Sequence, residues 1–129
     1  MAPEKHFVPG VRLIDYFIMH PFRNLLLISL GRMSSFEKIP TAEGWKHLYL
    51  LAQRQALVGS LNDGVHRLPA EQMPPEDILK AWDENTAKIA RIYHKHEDHI
   101  AELEELLKRL GLHGCILKGT GLSHLYPVP

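Results

Sequence analysis

The segment from Pro75 to Leu110 has no internal glycine or proline, and it constrains the fold more than any other part of the chain. Within it, a regular alternation of four and three residues marks the heptad spacing of helices that pack along a seam. A helix of about 35 residues would be roughly 50 Å long. In a small domain, we expect other helices or a second copy of the chain to cover it. The seam positions are Ile78, Trp82, Asn85, Ile89, Ile92, His96, His99, Leu103, Leu106 and Leu110.

Polar residues interrupt this seam at three places. His96 and His99 are separated by one helical turn, so with further ligands from elsewhere they would suit a metal ion. The sequence cannot identify those further ligands, and we expect both histidines to be packed and hydrogen-bonded inside a helical bundle instead. Asn85 has two interpretations, a buried residue that sets helix register or a partner for the backbone of a neighbouring helix, and we favour the second.

Shorter helices are predicted ahead of the long one. Residues 11–20 are apolar enough for a short helix, and a second helix begins with Pro21 in its first turn, where the missing N–H costs nothing, and runs to about Gly31. Residues 1–10, with two prolines and a glycine, are predicted to be an irregular arm.

Two further helices are predicted between this pair and the long helix. Thr41 is a good N-cap for TAEGWKHLYLLAQRQ, which has apolar residues on one face. The next helix should end near Leu68, because a proline follows it. Gly111 then lies where a left-handed C-cap would end the long helix.

The C-terminal residues follow another pattern. HGCILKG predicts one short strand, and GTGLSHLY predicts a turn into a helix. The fold class is therefore mainly α, a helical bundle around one long helix at about 75–110, followed by a short strand-turn-helix. We expect a helical domain over 1–111 and the start of a second domain over 112–129.

Composition excludes several classes of protein. Fifteen basic residues balance fifteen acidic ones, so net charge does not indicate a nucleic-acid partner. No segment has the roughly 20 consecutive apolar residues of a membrane helix. The single Cys115 cannot form an internal disulfide, which fits a reducing, cytoplasmic location. Because Cys115 lies in an apolar run, we expect a buried structural thiol; a nucleophile activated by His113, on the same face of the strand, is the alternative.

The turn Lys118-Gly119-Thr120-Gly121-Leu122-Ser123 is the main candidate site. Its spacing is neither that of a P-loop nor that of a dinucleotide-binding loop. A glycine turn that leads into a helix can nevertheless present backbone N–H groups to an anion. Lys118 would add a positive charge, and Thr120 and Ser123 would add hydroxyls. The alternative is that the glycines serve the backbone alone.

These segments together resemble a bacterial family of uncharacterised nucleotidyltransferase-like proteins, within the polymerase-beta-type superfamily. The resemblance rests on WKHLYLLAQRQALVGSL, HRLP, the long helix and LGLHGCILKGTGLSHLYPVP, and its most specific parts are Leu117-Lys118-Gly119 and Tyr126-Pro127-Val128-Pro129. It implies that the strand-turn-helix begins an α/β nucleotidyltransferase domain. It also implies that Lys118, Gly119, Thr120 and Ser123 contribute to binding the phosphates of a nucleotide.

The family's chemistry needs two carboxylates on the next strand to bind two Mg²⁺ ions and a nucleoside triphosphate (NTP). The 129 residues contain no Asp-x-Asp pair. We therefore expect a truncated N-terminal part of a nucleotidyltransferase, with no catalytic or metal-binding residue, weak or absent nucleotide binding, no cofactor of its own and no transfer activity. The alternative is a non-catalytic helical interaction or dimerisation module, in which the long helix mediates a homodimer.

Overall fold

The structure is a computed structural model that describes the backbone of residues 13–125 and, within that range, all side chains except those of residues 13–18, 120 and 124. The predicted arm over residues 1–10 lies outside the described part. The described residues are mainly helical, as predicted, and none of them forms a strand. No helix in this part of the chain is long and apolar enough to cross a membrane. The helices are α1 (Leu13–Ser29), α2 (Ala42–Arg54), α3 (Val58–His66) and α4 (Glu76–Arg109), with 3₁₀ segments at Ala70–Gln72 and Gly119–Leu125.

The chain divides into two compact units, and the boundary between them falls inside α4, between Asp83 and Glu84. The first unit contains α1, α2, α3 and the first turns of α4. The second contains the rest of α4 and the segment that follows it. The division into domains at residue 111 stays a prediction.

The first two predicted helices are in fact one. Helix α1 continues through Pro21, which lies inside it rather than in the first turn of a new helix. A proline inside a helix costs about 3 kcal/mol or more, since it removes a hydrogen bond and crowds the preceding turn. Burial of Phe22, Leu25 and Ile28 in the core offsets this cost. The expected burial of this apolar stretch is incomplete, because Leu30 is 64% exposed.

Helices α2 and α3 follow the sequence prediction closely. The Thr41 hydroxyl accepts a hydrogen bond from the Gly44 N–H at 3.0 Å, which confirms the predicted N-cap. Trp45 and Leu48 lie buried on the core-facing side of α2. Helix α3 ends at His66, close to the predicted end. It packs closely on α1, since a β-carbon at Gly64 would lie 2.1 Å from Ser29 Oγ.

The Trp82 side chain joins α4 to this core. It is fully buried, and its indole N–H donates to the Val58 carbonyl of α3 at 2.9 Å. Its ring meets Trp45 edge-on at 6.1 Å between centroids and Tyr49 at 5.2 Å. Ile78, one turn earlier, is buried as well. The first two seam positions are therefore core residues, as predicted.

The rest of the predicted seam is not covered. The side chains of Ile89, Ile92, Leu103, Leu106 and Leu110 are between 43% and 62% exposed. The expectation that helices of this chain pack along all of α4 is therefore wrong beyond Trp82. The sequence marks an apolar stripe, but it cannot show which element covers the stripe.

The two seam histidines are exposed rather than packed inside a bundle, so that expectation is wrong too. Nor do the described residues contain a group of three metal-ligating side chains around His96 and His99.

The end of α4 agrees with the sequence. Gly111 has a left-handed backbone (φ +68°), and its N–H bonds the Lys108 carbonyl at 3.1 Å. The Leu112 N–H bonds the Leu107 carbonyl at 2.9 Å. These two bonds form a Schellman motif and confirm the predicted C-cap.

The predicted strand over residues 113–119 is not formed. Residues 112–117 have no regular secondary structure, and a bend at Lys118 leads into the 3₁₀ segment Gly119–Leu125. A strand needs a neighbouring strand to bond its backbone groups, and no described residue provides one. Residues 112–117 therefore form an irregular connection between α4 and the 3₁₀ segment.

We expect Trp82→Phe to destabilise the protein by about 2 kcal/mol, because the indole hydrogen bond is lost and a void is left in the core. Leu50→Ala, at a half-exposed position of α2, is the matched control and should change stability by about 0.5 kcal/mol or less. Chemical denaturation followed by tryptophan fluorescence and circular dichroism measures both. Equal effects of the two variants would contradict the central role of Trp82.

Candidate functional site

The turn around Gly119 is exposed and has room around it. Gly119 has φ +65°, and a β-carbon built on it would meet no atom of the described residues within 4 Å. The left-handed backbone, rather than lack of space, therefore favours glycine at this position. The neighbouring Lys118 is exposed. A lysine and a glycine amide on an open surface suit contact with an anion.

Gly121 has a different role from the one the sequence suggested. A β-carbon there would lie 2.8 Å from Ile116 Cγ2, so the absence of a side chain lets the 3₁₀ segment pack on the preceding residues. The second glycine of the turn is therefore required for packing. The glycines of the turn were interpreted either as an anion site or as a requirement of the backbone alone, and the second interpretation applies to Gly121.

The 3₁₀ segment is tied to α4 through Tyr93. The Tyr93 hydroxyl donates to Glu97 Oε1 at 2.9 Å and lies 2.8 Å from Ser123 Oγ. Because the tyrosine has only one hydroxyl proton, Ser123 is the donor to Tyr93. The predicted site residue Ser123 is thus engaged within the protein. A phosphate bound at the turn would compete with the Tyr93 oxygen for the hydroxyl proton of Ser123.

Glu97 is the ionised end of this network. His94 Nδ1 lies 3.0 Å from Glu97 Oε2 and shares the carboxylate with Tyr93. The hydrogen bonds from His94 first, and then from Tyr93, lower the pKa of the Glu97 carboxyl below its ordinary value. The charged form of Glu97 therefore holds Tyr93 in place for Ser123.

The predicted site residues are neighbours in one short segment, but they differ in exposure. Lys118 and Gly119 are exposed, and Ser123 is half-buried against Tyr93. The side chain of Thr120 and all of residues 126–129, which carry part of the family resemblance, lie outside the described residues.

A separate groove lies between the end of α4 and residues 112–116. It has a volume of about 480 Å³ and is lined by apolar side chains that include Ile100, Leu103 and Leu107. Cys115 also lines this groove and is exposed, so the expectation of a buried structural thiol is wrong. The cysteine is exposed because the strand that would have buried it is not formed.

A hollow that no sequence pattern predicted lies beside the first turn of α2. It has a volume of about 490 Å³ and combines apolar residues with His20, Glu37, Glu43 and His47. His20 Nε2 lies 3.6 Å from Glu37 Oε2, and His47 Nε2 lies 3.8 Å from Glu43 Oε1. His20 and Glu37 come from different stretches of the chain, so no local motif predicts their pairing. His47 and Glu43 are one helical turn apart on α2, a spacing that the sequence shows directly.

The described residues do not fit the two Mg²⁺ ions of nucleotidyl transfer. They contain no group of three His, Cys, Asp or Glu side chains able to hold a metal ion. The aspartates of α4 are separated along the helix, and Asp83 is bonded to His66 Nε2 at 2.6 Å.

Comparison with known proteins identifies the family. Residues 41–129 match the family described as uncharacterised nucleotidyltransferase. The chain belongs to this family. The match begins at the N-cap of α2 and includes α3, α4 and the turn around Gly119. No curated protein and no solved structure matches the chain.

We expect His94→Ala and Tyr93→Phe each to raise the pKa of Glu97 towards the ordinary carboxyl value, with the larger rise for His94→Ala. A lowered pKa in the folded state stabilises the protein above the ordinary carboxyl pKa. That contribution is lost as the pH falls through the lowered pKa. Carboxyl carbon shifts in an NMR pH titration measure the change.

His99→Ala, a change of another exposed histidine on α4, is the control and should leave the Glu97 titration unchanged. Tyr93→Phe should also shift the amide resonance of Ser123. A Glu97 pKa that moves in neither His94→Ala nor Tyr93→Phe would contradict the network.

Proposed function

We propose that this family member supplies the helical region and a phosphate-contacting turn for nucleotidyl transfer from an NTP to an acceptor. The observation that carries the proposal is the family match over residues 41–129, since that match includes the turn.

The turn supports phosphate binding through its exposure and charge. Lys118 is exposed and positively charged, and its stem gives the ammonium a wide reach. Gly119 brings the backbone to an open surface where no side chain lies within 4 Å of its built β-carbon. Thr120 and Ser123 belong to the proposed contact as hydroxyl donors, with Ser123 released from Tyr93 on binding.

Catalysis would need carboxylates that the 129 residues do not arrange together. Mg²⁺ and the NTP would be held jointly by this turn and by an acidic pair that the 129 residues do not contain. Lys118, Gly119, Thr120 and Ser123 are therefore proposed as binding residues, and none of them as a catalytic residue.

The binding step can be tested on the 129-residue chain with ATP and Mg²⁺ at millimolar concentration. We expect the amides of residues 118–120 to shift in NMR spectra, and Gly119→Ala to reduce those shifts. Gly111→Ala is a matched control, because Gly111 has nearly the same positive φ and equally open surroundings. Unshifted amides at the turn, or equal effects of the two variants, would contradict the proposal.

Lys118→Ala should weaken ATP binding by about fivefold, since it removes one charge-assisted contact at an exposed position. Lys88→Ala removes the same charge from an exposed position of α4 and should leave the affinity unchanged. Titration calorimetry measures both affinities. A loss of the same size in both variants would mean that ATP responds only to net charge.

Transfer itself is expected to be absent from the 129-residue chain. Incubation with any of the four NTPs and Mg²⁺ should release no pyrophosphate above the rate without protein. A longer version of the chain that contains an acidic pair should release pyrophosphate. Pyrophosphate release by the 129 residues alone would overturn the assignment of the carboxylates to another segment.

A second function, as a helical interaction module, is favoured by the exposed seam of α4. Five large apolar side chains of this seam are each more than 40% exposed, which is unusual for one face of one helix. This function does not require nucleotide binding, and the two functions can coexist.

A further inference from the structure

The exposed seam of α4 has a spacing that suits another helix. In the second unit the seam runs from Asn85 to Leu110 and keeps the heptad spacing throughout. A strict seven-residue repeat keeps apolar residues facing one partner helix over several turns, whereas a lone surface helix has no need of it. At 1.5 Å per residue, this stretch is roughly 38 Å long.

The two sides of the seam differ in chemistry. On one side, Tyr93, Ile100 and Leu107 are half-buried: Tyr93 bonds Ser123, and the other two line the groove beside the C-terminal segment. The other side carries only long charged residues. These are Lys88, Lys95, Glu102 and Arg109. Charges available for pairing between helices thus lie on one side of the seam only.

This asymmetry decides the orientation of a second copy. In a parallel pair, the charged side of one helix faces the uncharged side of the other, so the charges find no partners. In an antiparallel pair, the two charged sides face each other. We propose that two copies of this chain associate through the 85–110 seam of α4 in antiparallel orientation, with Lys95 of each copy paired with Glu102 of the other.

The apolar residues fit the same register. When Lys95 faces Glu102, Ile92 meets Leu103 and Ile89 meets Leu106 of the second copy. A two-fold symmetric pair makes each of these contacts twice. These pairs of apolar residues thus lie on both sides of the two-fold axis. The axis passes between residues 97 and 98 of each helix.

The seam histidines fall at the centre of this pairing. His96 of one copy lies opposite His99 of the other, again twice. One imidazole can donate and the other accept, so neutral histidines satisfy each other there. A polar layer within an apolar seam fixes the register, because a shifted pairing would bury an imidazole against leucine. This explains why polar residues occupy seam positions on an exposed helix face.

Two features oppose the pairing, both at the ends of the seam. In this register Asn85 of one copy meets Leu110 of the other, which places an amide against an apolar side chain. Lys88 of one copy also faces Arg109 of the other, but both of these side chains are exposed and long enough to turn away into solvent, so their repulsion is small. The two Lys95–Glu102 pairs lie nearer the centre, and the apolar layers supply most of the driving force.

Sedimentation of the full 129-residue chain tests the association, and a concentration-dependent dimer is expected. Leu103→Glu should raise the dimer dissociation constant by at least about a hundredfold, because a symmetric interface loses each contact twice. Leu117→Glu makes the same change at a residue 87% exposed and outside the seam, and it should leave the dimer intact. Helix content from circular dichroism should be unchanged in both variants.

Charge exchange tests the orientation. Lys95→Glu should weaken the dimer by about tenfold, and addition of Glu102→Lys should restore it. Within one helix these residues are seven positions apart and about 10 Å along the axis, too far to pair directly. Rescue by the double variant therefore reports a contact between copies.

A chain that stays monomeric at high micromolar concentration would overturn the proposal. So would a dimer that survives Leu103→Glu, or a charge exchange without rescue. These outcomes leave the phosphate-binding proposal untouched, because the turn at Lys118 and Gly119 is outside the seam.

Discussion

Burial of the Trp82 indole is the constraint on which the first unit depends. A buried tryptophan needs an acceptor for its N–H, and the Val58 carbonyl of α3 is placed at 2.9 Å from it. The same ring packs on Trp45 and Tyr49 of α2. One side chain of α4 is thereby held by two other helices, so the position of its first turns in the core is fixed by both a hydrogen bond and aromatic contacts.

The second unit depends on a smaller and more polar set of contacts. Tyr93 links an ionised Glu97 to Ser123, and Gly121 allows the 3₁₀ segment to approach Ile116 closely. Loss of these contacts would free the segment that carries Lys118 and Gly119. A turn held by a few hydrogen bonds can rearrange when a ligand binds.

Local signals in the sequence predicted well where the structure is decided locally. Thr41 and Gly111 were predicted as caps, and both form the expected hydrogen bonds, because a cap is a matter of a few consecutive residues. The prediction of a strand over residues 113–119 was wrong for the opposite reason, because the backbone hydrogen bonds of a strand must come from another strand. Pro21 failed as a helix boundary because burial of the residues after it outweighs its local cost.

The candidate site shows the same division. That Lys118 and Gly119 form an exposed turn was predicted from their order in the chain. The bond between Tyr93 and Ser123 was not, since the two residues are 30 positions apart and neither belongs to a motif. The exposure of Cys115 and of the seam histidines likewise depended on which elements lie nearby.

The amino-acid order by itself determined where the helices cap, how long α4 is and that one face of α4 is apolar, because helix periodicity and capping need only neighbouring residues. Only the tertiary structure decided which part of that face is buried. Burial is a property of contacts between distant segments, and residues of α2 and α3 contact the Trp82 side chain of α4. The apolar face beyond that residue stays exposed in the single chain.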